Sequence, residues 1–306
     1  MRPLSVARTA VRNPARYWAL LQWAIQDPIG SYHYCIALRN SLGKRRHEYR
    51  NDSDWRERIG VTSDDRAQTD RLWPSILNDL EQQGIRPGPE SYLFWNDGDP
   101  ALIQAIWCLV RKLQATKVVE TGVAHGLTSR FILEAFRTNG GHLWSIDLPP
   151  SWAPERHREI GAAVSDRSKW SLILGASRRR LPKLLKAIGP IDIFVHDSDH
   201  SAENMFFELS LAWKALRPGG ALVVDDIDLN WAFDEFSNRQ RKSEKFIGEA
   251  EPLRPDQRRF NQKGLFGVLL KPSGSPAVPR HWSHPSPVGR SSGAGRGLKR
   301  PPDRPQ

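Results

Sequence analysis

The sequence has only two cysteines, Cys35 and Cys108, among its 306 residues. Two cysteines cannot form the disulfide framework of a small secreted protein, and each lies among apolar residues, where a free cysteine packs as a small hydrophobic group. A long apolar run is also missing, because the stretch from Tyr17 to Ile25 is broken by Gln22 and followed by Asp27-Pro28. We therefore expect no secretory signal, no transmembrane segment and a cytoplasmic location.

A uniform basic surface is missing as well, although the net charge is +11. Residues 1–50 carry a charge of +7 and residues 272–306 a charge of +5, so that residues 51–271 are close to neutral at −1. A nucleic-acid substrate requires a positive surface beside the active site. The neutral body argues against a nucleic-acid partner, while the two basic ends remain able to contact anionic surfaces.

The two ends of the chain differ from its middle in composition. Residues 272–306 are rich in Pro, Ser and Gly and poor in apolar residues, which predicts a disordered basic tail. Residues 1–100 contain apolar clusters at helical spacing, at 17–25 and 72–80, and we interpret them as an N-terminal helical cap. The Trp-rich cluster at 17–25 has an alternative, a weak association with a membrane surface.

Residues 101–271 alternate apolar runs of strand length with segments of helical periodicity. This alternation predicts an α/β domain with a doubly wound, mostly parallel sheet, whose ligands bind at the carboxyl ends of the strands. The predicted strands are 117–121, 142–147, 170–174, 191–196, 221–225, 245–249 and 264–270, and the predicted helices are 102–113, 127–137, 178–188 and 202–216.

The loop after the first predicted strand has the composition of a nucleotide-binding turn. Glu120 is followed by three small residues, Gly122, Ala124 and Gly126, before the next helix begins. Small residues let the backbone approach a ligand, and the helix N-terminus supplies free N–H groups and a positive dipole. A nicotinamide-binding loop reads G-x-G-x-x-G, whereas this loop has Ala124 and a shorter final spacing.

Asp147 ends the second predicted strand, 25 residues after Gly122. An ionised carboxylate at this place can accept hydrogen bonds from both hydroxyls of a ribose. The alternative is that Asp147 caps the turn before Pro149-Pro150.

Three further carboxylates end two later strands: Asp197 on one, and Asp225 and Asp226 on the next. They converge if these strands are neighbours, and oxygen ligands suit a hard cation such as Mg²⁺. Without a cation, the repulsion between them requires another positive partner, such as Lys or Arg. In the alternative interpretation, Asp225, Asp226 and Asp228 are solvated in a loop and cap the helix near Trp231.

Three blocks together resemble the class I S-adenosylmethionine-dependent methyltransferases. Within that class they resemble the metal-dependent O-methyltransferases related to catechol O-methyltransferase and to the macrolide and aminocoumarin sugar O-methyltransferases. The resemblance covers residues 101–271, a little over half of the chain, and implies a Rossmann-like fold, S-adenosylmethionine and Mg²⁺. The blocks are Glu120-Thr121-Gly122-Val123-Ala124-His125-Gly126, Gly175-Ala176-Ser177 with Leu181-Pro182, and Asp197-Ser198-Asp199-His200 with Asp225-Asp226.

The resemblance also implies roles for individual residues. The methionine end of the cofactor would lie at Glu120 and Gly122. The same cofactor-binding loop continues through Ala124 and Gly126, and Thr128 would contact the carboxylate of the cofactor. Asp147 would bind the ribose, Leu148 would flank the adenine and Ser177 would contact the adenine edge. Arg178 and Arg179 depart from the catechol enzymes, which have an amide and an acid there. The implied metal ligands are Asp197, Asp225 and Asp226.

Two candidates for the catalytic base follow Asp197. His200 lies where the catechol enzymes have their catalytic lysine, and Asp199 resembles a base of the sugar enzymes. We favour His200, because an unperturbed imidazole titrates near neutrality. His200 has an alternative role, in which it caps the helix near Ala202 or orients Asp197.

The resulting hypothesis is a Mg²⁺-dependent O-methyltransferase that acts on a hydroxyl of a small molecule: a sugar, a polyketide or an aromatic compound. A homo-oligomer is compatible with this sequence. One alternative is a cofactor-binding or scaffold protein without turnover, although the intact acidic residues count against it. Another is a metal enzyme similar to the cephalosporin hydroxylases, which share the Asp-x-Asp-His block.

Overall fold

The structure is a computed structural model that describes residues 48–85, 98–148, 154–251, 253 and 264–274. The Trp-rich cluster at 17–25, Pro149-Pro150 and the predicted tail from residue 275 onward lie outside the described residues. The membrane-surface alternative for the cluster at 17–25 therefore stays a prediction.

Seven strands form one sheet in the order β3-β2-β1-β4-β5-β7-β6. The first five strands in this order are parallel, and β7 runs antiparallel to both β5 and β6. The mostly parallel, doubly wound sheet predicted from the sequence is confirmed. The strands are β1 (Lys117–Thr121), β2 (His142–Asp147), β3 (Trp170–Leu174), β4 (Ile191–His196), β5 (Leu216–Val224), β6 (Glu244–Glu249) and β7 (Leu265–Leu270).

Helices connect the strands and cover both faces of the sheet. Short 3₁₀ segments lie at Pro154–Glu159 and Ile227–Leu229. None of the helices within the described ranges has the length and apolar composition needed to cross a membrane. The α-helices are α1 (Trp55–Ile59), α2 (Ser63–Gln82), α3 (Pro100–Lys112), α4 (Leu127–Ala135), α5 (Ser177–Ile188), α6 (Ala202–Ala215) and α7 (Ala232–Arg239).

The alternation of side chains along each strand divides the core into two layers. On β1, Val118 packs into the layer that contains α3 and α4, whereas Val119 packs into the layer formed by α5, α6 and α7. Val223 and Val224 of β5 divide in the same way. Because successive side chains of a strand point to opposite faces, the central strands are apolar on both sides.

The N-terminal helices α1 and α2 share the first of these layers. The Trp55 ring lies edge-on to Phe266 of β7, with ring centroids 5.1 Å apart, and Trp73 of α2 packs on Phe131 of α4 at 4.6 Å. A capping box starts α2, because the Thr62 hydroxyl accepts from the Asp65 N–H and the Asp65 carboxylate accepts from the Thr62 N–H. The apolar spacing at 72–80 correctly predicted a helix.

β5 begins earlier than the predicted start at residue 221. Leu216 already pairs with Ile191 of β4, and the register shifts between Ile191 and Ile193. The segment Pro218-Gly219-Gly220, which follows the predicted helix 202–216, lies within β5. The shift accommodates a proline that has no N–H to donate to the sheet.

Candidate active site

The carboxyl ends of β1 and β4 lie at the point where the strand order reverses. From β1 the chain continues to β2 on one side, whereas β4 and β5 lie on the other side. Open α/β sheets bind ligands at such a point. Thr121 pairs with His196 in the register of the two strands, so Gly122 and Asp197 follow directly on adjacent strands.

Gly122 and Asp197 are in close backbone contact. Gly122 has a φ of +84°, and a Cβ atom there would lie 1.8 Å from the Asp197 carbonyl oxygen. Any other residue would therefore be strained and would also collide with the loop after β4. The sequence suggested a small residue for the approach of a ligand, and the structure adds a packing requirement.

Asp147 at the end of β2 is bound to the loop after β1. Its Oδ2 atom accepts hydrogen bonds from the N–H groups of Val123 and Ala124, at 3.1 and 3.0 Å. Burial raises the pKa of Asp147 to about 6 in spite of these bonds. The carboxylate thus holds the loop, including Ala124 with its φ of +47°, in a fixed conformation.

Glu120 lies beneath the same loop and is fully buried. Its Oε2 atom accepts from the Ser129 hydroxyl at 2.5 Å and from the Ser145 hydroxyl at 2.7 Å, while its Oε1 atom is buried without a hydrogen-bond partner. Burial raises the pKa of Glu120 to about 7, more than the two serine hydroxyls lower it. The free oxygen is available to a polar group at the loop.

The remaining predicted cofactor residues are arranged around this edge. Gly126 is the N-cap of α4 and Thr128 lies in its first turn, partly buried. Ser177 is the first residue of α5 and donates a hydrogen bond toward Glu208 of α6.

Leu148, which follows β2, is 37% exposed, and Leu174 at the end of β3 is 44% exposed. Leu174 pairs with Asp147 in the sheet, so the two exposed leucines lie at neighbouring strand ends. Leu174 was not predicted from the sequence. The sequence pattern that could have indicated Leu174 is an apolar residue at a strand end directly before Gly175.

The structure brings Asp197, His200 and Asp225 together. One ligand atom from each of the three lies within 4.8 Å of the other two, and Asp225 is buried. Asp226 adjoins this group, because its Oδ2 atom lies 3.8 Å from His200 Nε2. Asp197 Oδ1 lies at the same distance from that nitrogen. Asp197, Asp225 and Asp226, which the sequence predicts to converge, thus lie in one cluster with His200.

The loop after β5 is packed rather than solvated. Asp225 and Asp228 are each only 6% exposed, and Asp228 accepts from the Leu265 N–H at 3.1 Å. The start of α7 is capped by another residue, because Asn230 Oδ1 accepts from the Ala232 N–H at 2.7 Å. These contacts disfavour the interpretation of the acidic residues as solvated helix caps.

The two candidate bases have different surroundings. Asp199 is exposed and accepts from the N–H and the hydroxyl of Ser201, at 3.0 and 3.2 Å. Ser201 itself caps α6 through the Asn204 N–H. His200 is held by its carbonyl oxygen, which accepts from the Asn230 side chain at 2.8 Å, and its Nδ1 atom is buried without a partner. His200 Nε2 is therefore the nitrogen that faces the acidic groups.

A buried hydrogen-bonded pair, which was not predicted from the sequence, lies beneath this cluster. His196 and Glu208 are both inaccessible to solvent, and His196 Nδ1 lies 2.7 Å from Glu208 Oε2. The His196 ring also lies edge-on to His200, with centroids 5.6 Å apart. The sequence pattern that could have indicated this pair is the position of Glu208 on the apolar face of α6, between Met205 and Leu209.

Glu208 is a shared acceptor for several elements. Burial by itself raises its pKa, but the charge of His196 and the hydrogen bonds outweigh burial and lower the pKa to about 2. Glu208 is thus ionised and ties β1, β4 and the loop 197–200 to α6. The side chains that donate to it include those of Thr121 at 2.6 Å, Asn204 at 2.8 Å and Ser198 at 3.0 Å.

Asp99 is a further residue that was not predicted from the sequence. It is the N-cap of α3, and its Oδ1 atom accepts from the N–H groups of Ala101 and Glu251, both at 2.9 Å. Burial, followed by repulsion from Asp225, raises the pKa of Asp99 to about 8. In the sequence, Asp99-Pro100 has the appearance of an ordinary helix start.

The central part of the chain is similar to a described family of proteins. Residues 119–227 match the family described as "Methyltransferase domain". The match begins within β1 and ends just after β5, so it includes the glycine loop, Asp147 and the acidic cluster. The resemblance to class I methyltransferases predicted from the sequence is confirmed.

Two curated relatives are O-methyltransferases by name. One is the 8-demethyl-8-alpha-L-rhamnosyl tetracenomycin-C 2'-O-methyltransferase of Streptomyces olivaceus, 31% identical over 127 residues. The match covers 39% of this chain and 30% of that relative, so the chain spans less than a third of its length. The other is a putative O-methyltransferase of Mycobacterium sp. (strain JLS), 28% identical over 51% of this chain and 71% of the relative.

Among solved structures, the O-methyltransferase from Bacillus cereus in complex with SAH has the same fold. It superposes with a TM-score of 0.51 at 16% identity, over 69% of this chain and 99% of that chain. At this identity the likeness supports the fold, which agrees with the strand order of the sheet.

Proposed function

We propose that this chain, which carries a class I methyltransferase domain, is an S-adenosylmethionine-dependent O-methyltransferase that uses a divalent cation and acts on a hydroxyl of a small molecule. The observation that carries the proposal is the contact between Gly122 and Asp197, because it brings the loop of a methyl-donor site against an acidic cluster. A methyl donor and an activated oxygen must meet at one place for the transfer to occur.

The residues at the carboxyl ends of β1 and β2 fit S-adenosylmethionine. Gly122 through Gly126 lead into the N-terminus of α4, whose free N–H groups suit a carboxylate. We assign Asp147 to the ribose hydroxyls, and the exposed side chains of Leu148 and Leu174 suit the faces of an adenine. The buried free Oε1 atom of Glu120 suits the ammonium group of the methionine portion.

The acidic cluster fits a divalent cation. Asp197 and Asp225 offer carboxylate oxygens within the spacing that one ion can bridge, and Asp226 adjoins them. Carboxylate oxygens suit both Mg²⁺ and Mn²⁺. We assign Asp197, Asp225 and Asp226 as ligands and keep His200 as the base. A bound cation would supply the charge that lowers the pKa of an acceptor hydroxyl.

The base follows from the surroundings of the two candidates. His200 directs Nε2 toward Asp197 and Asp226, where it can take the proton of an acceptor hydroxyl. S-adenosylmethionine, when bound, would supply an electrophilic methyl group for transfer to that oxygen. Asp199 is exposed and already accepts two hydrogen bonds from Ser201, so we assign it to the structure of the loop.

The acceptor class is inferred from the acidic pair and the named relatives. Asp225-Asp226 matches the form seen in sugar O-methyltransferases, and the Streptomyces relative is named for a 2'-O-methylation on a rhamnosyl group. We therefore propose a glycosylated polyketide or a free sugar as the first candidate acceptor, and an aromatic hydroxyl as the second. A cytoplasmic location belongs to this proposal and is supported by the free, buried Cys108.

An acceptor screen tests the proposal. The full chain is incubated with S-adenosylmethionine and a panel of glycosylated polyketides, sugars and catechols, with Mg²⁺ or with EDTA. The proposal expects a product heavier by one CH₂ that forms with Mg²⁺ and not with EDTA. A product heavier by one oxygen atom would indicate a hydroxylase, whereas tight cofactor binding without any product would favour a scaffold.

A further inference from the structure

Glu120 of β1 lies opposite Ser145 of β2 in the register of the sheet. Both side chains are inaccessible to solvent, and the Ser145 hydroxyl donates to Glu120 Oε2 at 2.7 Å. The Ser129 hydroxyl of α4 donates to the same oxygen at 2.5 Å. Two donors from different elements thus act on one carboxylate oxygen, which restricts rotation of the carboxylate and sets the direction of Oε1.

Trp170 determines the direction in which the Ser145 hydroxyl donates. The indole Nε1–H of Trp170, on β3, donates to Ser145 Oγ at 2.9 Å. An indole N–H can only donate, so Ser145 accepts from it and keeps its single proton for Glu120. These three side chains form a hydrogen-bond chain that crosses three adjacent strands, from β3 through β2 to β1.

The ring of Trp170 is itself held in place. A Cβ atom on Gly161 would lie 2.1 Å from the Cη2 atom of the ring, so the indole packs closely on the backbone at this glycine. The Arg167 guanidinium lies over the ring, 5.1 Å from a ring centroid. The Gly161 N–H donates to the Ala124 carbonyl of the loop after β1, at 2.9 Å. The segment that holds Trp170 therefore also binds the proposed cofactor loop.

The other oxygen of Glu120, Oε1, is buried and has no hydrogen-bond partner among the described residues. The donors that reach Glu120 within the described ranges are the two serine hydroxyls, so no Lys or Arg there compensates its charge. A buried carboxylate oxygen without a donor is costly. A ligand with a positively charged N–H donor would supply both the hydrogen bond and the opposite charge.

We propose that Trp170 and Ser145 are positioning residues, which direct Glu120 Oε1 at the ammonium group of the cofactor and make the site selective for ligands with such a group. The inference rests on the proposed function. A charge-assisted hydrogen bond is about twice as strong as a neutral one, and its strength depends on direction. Loss of the Ser145 hydroxyl leaves Oε2 with one donor, so the carboxylate can rotate and Oε1 is no longer held toward the ammonium group.

Two ligands that differ only in the ammonium group test this role. They are S-adenosylhomocysteine and its deaminated analogue, in which a hydrogen atom replaces that group. Each is titrated into the full chain by calorimetry at about pH 8, because burial raises the pKa of Glu120 to about 7 and the carboxylate must be ionised. We expect the unmodified protein to bind S-adenosylhomocysteine at least about tenfold more tightly than the analogue.

Ser145→Ala should remove most of this preference. We expect the affinity for S-adenosylhomocysteine to fall at least about fivefold, while the affinity for the analogue stays within about twofold. Ser171→Ala is the matched control, because Ser171 of β3 is hydrogen-bonded to His142 at 2.8 Å, and it should bind both ligands as the unmodified protein does. Trp170→Phe keeps an aromatic ring without the N–H and should reduce the preference in the same direction. It replaces Ser145→Ala if thermal unfolding shows that the latter is not folded.

The outcomes separate this inference from the proposed function. An unchanged preference in Ser145→Ala, or an equal loss of affinity for both ligands, would overturn the positioning role. Equal binding of the two ligands by the unmodified protein would show that Glu120 does not contact the ammonium group, and the proposed function would stand because the cofactor still binds. If the unmodified protein binds neither ligand, the proposed function fails together with the inference.

Discussion

Gly122 lies against the backbone of Asp197, and a Cβ atom on residue 122 would be 1.8 Å from the Asp197 carbonyl oxygen. This contact joins the loop after β1 to the loop after β4 without any side chain between them. Because the neighbouring atoms are backbone, they cannot move aside as a flexible side chain would. The proposed methyl-donor site and the acidic cluster are therefore one structural unit.

Gly122→Ala should damage both halves of this unit. We expect a loss of folding stability well above the roughly 1–2 kcal/mol that a left-handed conformation costs a non-glycine residue, and a loss of S-adenosylmethionine binding and of Mn²⁺ binding together. Gly140→Ala is the matched control, since Gly140 has a φ of +70° but nothing within 4 Å of an added Cβ. Equal losses of stability and binding in the two variants, by urea unfolding and calorimetry, would contradict the packing role of Gly122.

Glu120 should make stability depend on pH. Its pKa is raised from 4.5 to about 7 in the folded chain, so its stabilising contribution is complete below pH 4.5 and is lost as the pH rises to about 7. Between about pH 5 and about pH 8, the unmodified protein should lose about 3 kcal/mol relative to Glu120→Gln.

Urea unfolding of the cofactor-free protein at both pH values measures this difference. Glu57→Gln, on the exposed face of α1, serves as the control and should follow the unmodified protein. Parallel pH profiles for the unmodified protein and Glu120→Gln would show that Glu120 is not buried in its protonated form.

Glu208 should be required for stability rather than for turnover alone. Glu208→Gln leaves His196 buried without its charged partner, and removal of one member of a buried pair costs about 3–5 kcal/mol. Glu203→Gln, exposed on the same helix, should change stability by less than about 0.5 kcal/mol. Because the pKa of Glu208 is lowered to about 2, its contribution is present above pH 4.5 and is lost as the pH falls toward 2. Comparable unfolding midpoints for the two variants in urea would argue against a charged Glu208.

The two candidate bases can be separated kinetically once an acceptor is known. His200→Gln should lower kcat by about 10²–10⁴-fold, the range typical for loss of a general base, with little change in S-adenosylmethionine affinity. Asp199→Asn can keep an oxygen acceptor for Ser201 and should lower kcat only a few fold. The reverse order of effects in steady-state assays would assign the base to Asp199.

The sequence predicted the sheet well because each strand is a short apolar run between glycines or polar residues. It also located the acidic residues, since Asp197 and Asp225 each follow directly on such a run. The start of β5 at Leu216 was missed because Pro218-Gly219-Gly220 is typical of a turn, and only pairing with β4 holds that segment in the sheet.

Contacts between distant parts of the chain were not predictable in the same way. The hydrogen bond between His196 and Glu208 joins a strand to a helix face, and neither residue belongs to a motif. Asp99 has the ordinary pattern of a helix cap, so only its unpaired oxygen, visible in three dimensions, distinguishes it. The contact of Gly122 with Asp197 depends on the register between β1 and β4, which local sequence does not determine.

Calorimetric titration of S-adenosylmethionine into the purified full chain, without added cation, tests the central claim most directly. The account predicts binding of one molecule per chain, weakened at least about tenfold in Asp147→Ala, which loses both the proposed ribose contact and the bonds to Val123 and Ala124. The absence of binding by the unmodified protein, with Asp147→Ala behaving identically, would contradict it.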